Sequence, residues 1–335
     1  MPSILNKFPG IILTITIAIP AWLIGKAFPI IGGAVLGILF GMIIAFWKRP
    51  VVLEEGVQYT SKKLLQYSLI LLGFDMNLYN IFKVGAQTLT LMMFTLTIAF
   101  GTAWAAGKLM KVDPQTNILI GVGTAICGGS AIAATAPVIH ADDETVARSI
   151  STIFLFNVIA AFLFPLLGHI LSMSDYAFGL WAGTAINDTS SVVAAGYTFS
   201  NEAGNLAVIV KLTRTLMIVP ITLVLAIYTS LKSPRLHGNE ASKGSYNMGK
   251  IFPWFVIGFV AASLINTFVP VLQGMGASIA EAGKFLIIMA MAAIGLNTNV
   301  VKLAQSGTKS ILLGLICWIT LSWTSLGILQ YIYAQ

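Results

Sequence analysis

The residues best able to do chemistry lie in the middle of two long apolar runs. One run contains five consecutive polar residues, and the next contains two cations. In chain order they are Asn187, Asp188, Thr189, Ser190 and Ser191, followed by Lys211 and Arg214. A charge at the centre of a bilayer costs about 3 kcal/mol and by default marks a functional site. We therefore expect the polar run to unwind its helix or to line a polar cavity.

The spacing of these charges predicts one shared site. Lys211 and Arg214 are three residues apart, so they lie on one helix face. A turn near residue 200 puts both cations about as far from the turn as Asp188, and equal rise along antiparallel neighbours gives equal depth. Two cations against one carboxylate favour an anion, and arginine suits oxyanions. A purely structural buried ion pair is one alternative, and a Lys211 side chain that reaches the outer surface is another.

A second polar interruption repeats four letters of the first. The sequence Gly-Thr-Ala-Ile occurs at 123–126 and again at 183–186. After the first copy come Cys127, Gly128, Gly129 and Ser130. Adjacent glycines let a helix break, and irregular backbone at membrane depth must be buried in protein or line a cavity. We expect a broken helix whose second half turns a positive N-terminus toward an anion. Close packing of small residues is the alternative.

Composition places the chain among integral membrane proteins of the all-α class. Of its 335 residues, 57% are hydrophobic and only 9% are charged, whereas soluble domains carry about 25% charged residues. The net charge of +7 comes from basic residues scattered between apolar runs, which suits an anionic lipid surface better than a nucleic acid. Both cysteines lie in apolar runs, so no disulfide framework is predicted. One polytopic domain, 1–335, is expected.

About eleven apolar segments are long enough to be transmembrane helices. They are 8–28, 30–47, 58–75, 86–107, 116–137, 147–171, 176–197, 203–230, 251–271, 278–297 and 308–332. With alternating sides, thirteen of the nineteen lysines and arginines fall on one side and four on the other. The positive-inside rule then puts the N-terminus in the cytoplasm and the C-terminus outside. The same bias results if the fifth and seventh segments are both re-entrant.

Acidic residues before the sixth and seventh segments are predicted to be helix caps. Asp142 and its acidic neighbours precede the sixth segment, and Ser174 and Asp175 precede the seventh. Such side chains accept hydrogen bonds from free N–H groups and favour the positive end of the helix dipole. We prefer this interpretation to a cation site.

Signatures of enzymes are weak, so we expect no enzyme, no metal site and no cofactor. The chain has no His-Glu-x-x-His, Cys-x-x-Cys or phosphate-binding Gly-rich loop ending in Lys-Ser/Thr. Ser130 follows two glycines and could suggest an intramembrane serine hydrolase. His140 and His169, however, lie near segment ends, which is a poor geometry for a Ser–His pair.

The two motifs and the cation pair resemble the YeiH-type family of bacterial inner-membrane proteins, often labelled sulfate exporters. The resemblance runs over nearly the whole chain and rests on 123–132, 183–196, 211–214 and Pro220. That family commonly has histidine at the position of Asn187. It is grouped with the cation–proton antiporters and bile-acid symporters. The grouping implies inverted repeats, 30–171 and 176–332, after an extra helix 8–28, with crossing broken helices in the fifth and tenth segments. Cys127–Ser130 would then face Gly295–Asn299.

The resulting expectation is a secondary transporter that exports or exchanges a small oxyanion, with sulfate or sulfite implied by the resemblance. Coupling would be to a proton or sodium gradient, because no nucleotide motif exists. A cation–proton antiporter that uses Asp188 is the alternative, and the serine hydrolase is a remote one. A homodimer is compatible with the sequence. The expected substrate-binding residues are Thr124, Cys127, Gly128, Gly129, Ser130, Asn187, Asp188, Thr189, Ser190, Ser191, Lys211, Arg214, Asn297 and Asn299.

Overall fold

The computed structural model describes residues 4–28, 32–232, 254–298 and 307–333. Every regular element within those ranges is helical. Six helical stretches within those ranges are long and apolar enough to cross a membrane, one of them Asn201–Leu225, and shorter apolar helices accompany them. The prediction of an all-α integral membrane protein is confirmed, and each of the eleven apolar segments has a helical counterpart.

The described helices are α1 (Ile4–Ala27), α2 (Gly33–Ile44), α3 (Glu54–Tyr59), α4 (Leu65–Leu72), α5 (Leu78–Leu109), α6 (Pro114–Ala125), α7 (Gly129–Thr135), α8 (Asp143–Ile170), α9 (Asp175–Ala185), α10 (Thr189–Phe199), α11 (Asn201–Thr215), α12 (Ile218–Lys232), α13 (Trp254–Phe268), α14 (Pro270–Asn297) and α15 (Thr308–Tyr333). A π-helical turn, Thr60–Leu64, joins α3 to α4.

The fifth predicted segment folds back on itself as a hairpin, which we call hairpin A. Helix α6 ends at Ala125, and α7 begins at Gly129 after a short break. The side-chain amide of Gln115, in the first turn of α6, donates to the backbone oxygens of Ile139 (3.4 Å) and His140 (3.2 Å). The start of α6 therefore lies beside the chain that leaves α7. Both ends of hairpin A are on the same side, so the segment is re-entrant.

The seventh predicted segment forms a second hairpin, hairpin B, from α9 and α10. The Ser200 hydroxyl, just after α10, donates to Asp175 at the start of α9 over 2.5 Å. The rings of Phe178 and Phe199 stack with centroids 4.0 Å apart. These contacts hold the two ends of the hairpin together, so this segment is also re-entrant. The sequence left open whether the fifth and seventh segments cross the membrane, and the two hairpins show that both turn back.

The two hairpins approach from opposite ends of α8. That helix has 28 residues, about 42 Å of length. It starts just after the open end of hairpin A and finishes just before the open end of hairpin B. The re-entrant fold also moves Arg148 to the side that holds Lys108 and Lys111, which strengthens the charge bias.

The predicted helix caps are confirmed at the starts of α8 and α9. The Asp142 carboxylate accepts from the backbone N–H of Thr145 (2.9 Å) and from its hydroxyl (2.8 Å) at the start of α8. These bonds stabilise the ionised form and hold the pKa of the Asp142 carboxyl below its ordinary value. Ser174 caps α9 through a bond from the N–H of Ala177 (3.2 Å).

The helices group into two bundles that meet along an apolar surface. One contains α1–α4, α13 and α14, and the other contains both hairpins with α5, α8, α11, α12 and α15. The core that joins them consists mainly of small, aliphatic and methionine side chains. Examples from the hairpin bundle are Val193, Ala194, Ile209 and Leu212, and examples from the other are Ala34, Ile38, Ile287 and Met291.

The position of the second broken helix differs from the family-based expectation. The tenth predicted segment lies within α14, which runs to Asn297 without interruption. Within the described ranges, the helix break that faces the one in the fifth segment is in the seventh segment, not in the tenth. Local polar sequence at 187–191 indicated this second break correctly, because five polar residues cannot continue an apolar helix unchanged.

Candidate functional site

The tip of each hairpin is the short connection between its two helices, and the two tips correspond position by position. Helices α6 and α9 end at Ala125 and Ala185, and helices α7 and α10 begin at Gly129 and Thr189. The two copies of Gly-Thr-Ala-Ile, sixty residues apart, therefore occupy the same place in each hairpin. Because the hairpins point in opposite directions, the tips form an inverted pair, an arrangement characteristic of secondary transporters.

Gly128 and Asp188 are the point where the two tips meet. Gly128 has φ +70° and ψ −131°, a conformation that favours glycine over residues with a Cβ. A Cβ atom built at Gly128 would lie 3.3 Å from the Cβ of Asp188. The second glycine of the pair, Gly129, is in the first turn of α7 and has no such close neighbour. Only the first glycine is required by the contact between the tips.

Lys211 joins the tips through their backbone. Its ammonium group donates to the carbonyl oxygen of Ile126 over 2.8 Å and to that of Ile186 over 3.0 Å. The side chain is fully buried. These two isoleucines are equivalent positions of the repeated motif. A Lys211 side chain that reaches the outer surface, one of the sequence-based alternatives, is therefore wrong.

Arg214 adds three more bonds of the same kind. Its Nε donates to the oxygen of Ala125 (2.5 Å), one terminal nitrogen donates to Thr124 O (2.6 Å), and the other donates to Thr184 O. The side chain is only 1% exposed. Thr124 and Thr184 are again equivalent positions. Arg214 and Lys211 together thus hold the carbonyl ends of α6 and α9, which carry the negative ends of two helix dipoles.

No described carboxylate pairs with either buried cation. The ion pairs among the described residues are Arg49–Glu54, Arg148–Glu144 and Lys284–Glu281. Asp188 instead caps α10, where Oδ2 accepts from the backbone N–H of Ser190 (3.0 Å) and from the Ser190 hydroxyl. The alternative of a structural Asp–cation pair is therefore wrong. Two helix C-termini offset about one unit of positive charge, so positive charge remains.

Asn157 is a site residue that sequence reasoning missed. It lies at the midpoint of α8, and its Oδ1 accepts from the backbone N–H groups of Asn187 (3.2 Å) and Asp188 (3.1 Å). Its Nδ2 would be 3.5 Å from a Cβ on Gly128. Asn157 therefore contacts hairpin B directly and lies against hairpin A. An amide in the middle of a long apolar run was the available signal.

Asn187 has the most unusual environment of the predicted residues. Its side chain is 0% exposed, yet neither Oδ1 nor Nδ2 has a hydrogen-bond partner among the described residues. The buried hydroxyl of Thr124, on the other tip, is also unpartnered there. A buried polar group left unsatisfied costs about 1–3 kcal/mol, and each such group in a native structure requires an explanation. Availability to a bound ligand is one such explanation.

The remaining predicted residues divide between the tips and other parts of the molecule. Tip positions include buried Cys127, exposed Ser130, and Thr189 and Ser191 in the first turn of α10. Asn297 belongs to a second polar cluster, because its Oδ1 accepts from Arg49 (2.7 Å), which also contacts Glu54. The expectation that Asn297 faces the first break is corrected. Asn299 lies outside the described residues.

The described residues contain no group of three His, Cys, Asp or Glu side chains that could hold a metal ion. His140 and His169 lie at the open ends of the two hairpins, whereas Ser130 lies at a tip. Neither His140 nor His169 is therefore close enough to Ser130 to act as the base of a serine hydrolase.

Comparisons with known proteins place the chain among membrane proteins. The family model described as Conserved hypothetical protein 698 matches residues 9–314. A UPF0324 membrane protein of Fusobacterium nucleatum is 45% identical, with 96% of this chain and 97% of the relative covered. UPF0324 membrane proteins of Streptococcus pyogenes serotype M6 and Streptococcus agalactiae serotype V are 47% and 49% identical, over 97% and 94% of both chains. No solved structure matches. These matches confirm the family resemblance.

Proposed function

Because the chain belongs to the family of Conserved hypothetical protein 698, whose relatives are UPF0324 membrane proteins, we propose a membrane function for its tip site: secondary transport of a small oxyanion. The observation that carries the proposal is the pair of buried cations, Lys211 and Arg214, between two inverted hairpin tips. We propose the bacterial cell (inner) membrane as its location, because the relatives are bacterial membrane proteins and the described spans are α-helical.

Charge favours an anion as the substrate. Lys211 and Arg214 together carry two positive charges, and the carbonyl ends of α6 and α9 offset about half of this. Asp188 adds one negative charge at the tips, and the positive N-terminal end of α10, which its carboxylate caps, offsets about half of that charge. A buried site with surplus positive charge is stabilised when a negative ligand enters.

Donor count supports the same conclusion. An ammonium group has three N–H donors and a guanidinium has five. The carbonyl bonds use two donors of Lys211 and three of Arg214. One donor of Lys211 and two donors of Arg214 remain, and the amide of Asn187 at the tip of hairpin B also has no partner among the described residues. An oxyanion offers several acceptor oxygens, which match such a set of donors.

The burial of these groups implies alternating access. Asn187, Lys211 and Arg214 are enclosed, whereas Asp188 is half-buried. An ion can reach the enclosed groups only if a tip moves, and each hairpin faces a different side. Opening one hairpin at a time would expose the site to one side at a time. Opening a hairpin must break the bonds that Lys211 and Arg214 make to its tip, whereas the apolar contact between the two bundles adds few polar bonds to that cost.

A cation–proton antiporter that uses Asp188 is the second candidate. Its supporting observation is the half-buried carboxylate at the meeting point of the tips. Two cations beside one carboxylate disfavour a cationic substrate, so we rank this function below anion transport. Catalysis is less consistent with the site than either, because Ser130 has no histidine beside it among the described residues.

The test is counterflow of radiolabelled sulfate and, separately, sulfite into proteoliposomes, with and without a pH gradient. Wild type is compared with Asn187→Leu, which alters the amide and leaves both cations in place. We expect labelled anion to accumulate with wild type, and accumulation of at least one of the two anions to fall at least about tenfold in the variant. Absence of anion flux, together with sodium-dependent proton release in the same vesicles, would overturn the proposal in favour of the antiporter.

A further inference from the structure

We propose that the site selects an oxyanion that carries its own O–H group, such as a hydrogen oxyanion, over a fully deprotonated one. This inference rests on the proposed function and narrows its substrate class. It derives from the side chain of Asn187, whose donor and acceptor ends are both unpartnered among the described residues.

The amide of Asn187 requires two kinds of partner. Its nitrogen donates and its oxygen accepts, and both atoms are buried without a partner among the described residues. Exchanging the oxygen and the nitrogen by an amide flip leaves this requirement unchanged. A ligand that satisfies this amide must accept one hydrogen bond and donate another.

No described group at the hairpin tips donates a hydrogen bond to the Asn187 oxygen in this structure. Asn157 Oδ1 already accepts the two backbone N–H groups of the tip. Asp188 is a carboxylate, which accepts hydrogen bonds and donates none when ionised. The remaining N–H donors belong to Lys211 and Arg214, and these are the groups that balance the charge of an anion. A donor for the Asn187 oxygen is therefore expected from the ligand.

Sulfate satisfies only one of the two hydrogen bonds that the Asn187 amide requires. All its oxygens are acceptors, so it would pair with the amide nitrogen and leave the amide oxygen buried beside another acceptor. A hydrogen oxyanion offers acceptor oxygens to the cations and one O–H to the amide oxygen or to Asp188. Sites built to bond a substrate hydroxyl reject analogues that lack it by factors of up to about 10,000, because buried groups are left unpaired.

Two pairs of anions matched in shape and charge test this inference. Hydrogen phosphate and sulfate are tetrahedral dianions, and bicarbonate and nitrate are planar monoanions. The first member of each pair has an O–H group, and the second has none. Affinities of all four for the detergent-solubilised full chain are measured by titration calorimetry at a mildly alkaline pH. We expect the O–H member to bind at least about tenfold more tightly in each pair.

Two variants locate the preference. Asn187→Leu should bring both affinity ratios close to one, because it removes donor and acceptor together. Asn117→Leu is the matched control, since Asn117 lies at the base of α6 beside Gly107 and its side-chain oxygen also lacks a partner among the described residues. It should keep the preference of the wild type.

The outcomes separate this inference from the proposed function. Equal affinities within both pairs, or a preference that persists in Asn187→Leu, would overturn selection for the O–H group while anion binding stands. Binding of none of the four anions, with no flux of sulfate or sulfite, would overturn the proposed function itself. Tighter binding of sulfate and nitrate would contradict the inference alone.

Discussion

Ile126 and Ile186, sixty residues apart, present their carbonyl oxygens to the same ammonium group, that of Lys211, at 2.8 and 3.0 Å. Arg214 repeats the relationship with Thr124 and Thr184. Since each cation contacts equivalent atoms of both hairpins, the pair lies close to the axis that relates the tips. The tips cannot separate without the loss of these bonds, which makes the two cations the link between the hairpins.

Removal of the Lys211 charge should weaken the junction of the hairpins. Lys211→Met leaves two buried carbonyl oxygens without their donor, and each such loss costs about 1–3 kcal/mol. We expect a lower midpoint of thermal unfolding in detergent and a loss of anion flux. Lys83→Met, at an exposed position of α5, is the control and should change neither quantity. An unchanged midpoint in Lys211→Met would show that the bonds to Ile126 and Ile186 contribute no stability.

The two adjacent glycines of hairpin A should respond differently to the same change. Gly128→Ala places a Cβ on a backbone with positive φ, 3.3 Å from the Cβ of Asp188, at a cost of about 1–3 kcal/mol. Gly129→Ala adds a methyl group whose nearest side-chain neighbour, Ile150, is 3.9 Å away, and should be nearly neutral. Thermal unfolding and flux are measured for both. Equal effects would argue against contact of the tips at Gly128.

Asn157 should act as a positioning residue for hairpin B. Asn157→Leu removes the acceptor of two buried N–H groups, so we expect a loss of about 1–3 kcal/mol in stability and weaker anion binding. Ser149→Ala, on the same helix, removes a buried hydroxyl that has no partner among the described residues and should be close to neutral. Asn157→Leu with wild-type affinity for every anion would confine its role to stability.

Re-entrant hairpins make a prediction about sidedness that eleven crossings do not. Single cysteines at Leu109 and Asp143 flank hairpin A, and those at Ser172 and Asn201 flank hairpin B. In a background without Cys127 and Cys317, an impermeant maleimide should label the first pair from one side and the second pair from the other. The charge bias assigns the first pair to the cytoplasm. Labelling of Leu109 and Asp143 positions from opposite sides would instead mean that the fifth segment crosses.

The sequence by itself determined the class of protein and the location of its polar breaks. Apolar runs of about 20 residues and a charged fraction of 9% leave few alternatives to helices in a membrane. The repeated Gly-Thr-Ala-Ile and the cations of α11 also stood out, because charges and glycines are unusual in such runs. These signals are local, so they are readable from composition and spacing.

Tertiary structure alone decided what those residues contact. Lys211 and Arg214 bind backbone carbonyls, and a carbonyl leaves no trace in the sequence because every residue has one. Likewise, a broken segment that crosses and one that turns back have the same hydropathy. Only the bonds at their ends, such as Ser200 to Asp175, distinguish the two. Asn157 became recognisable only when α8 brought it, near the middle of the helix, to both hairpin tips.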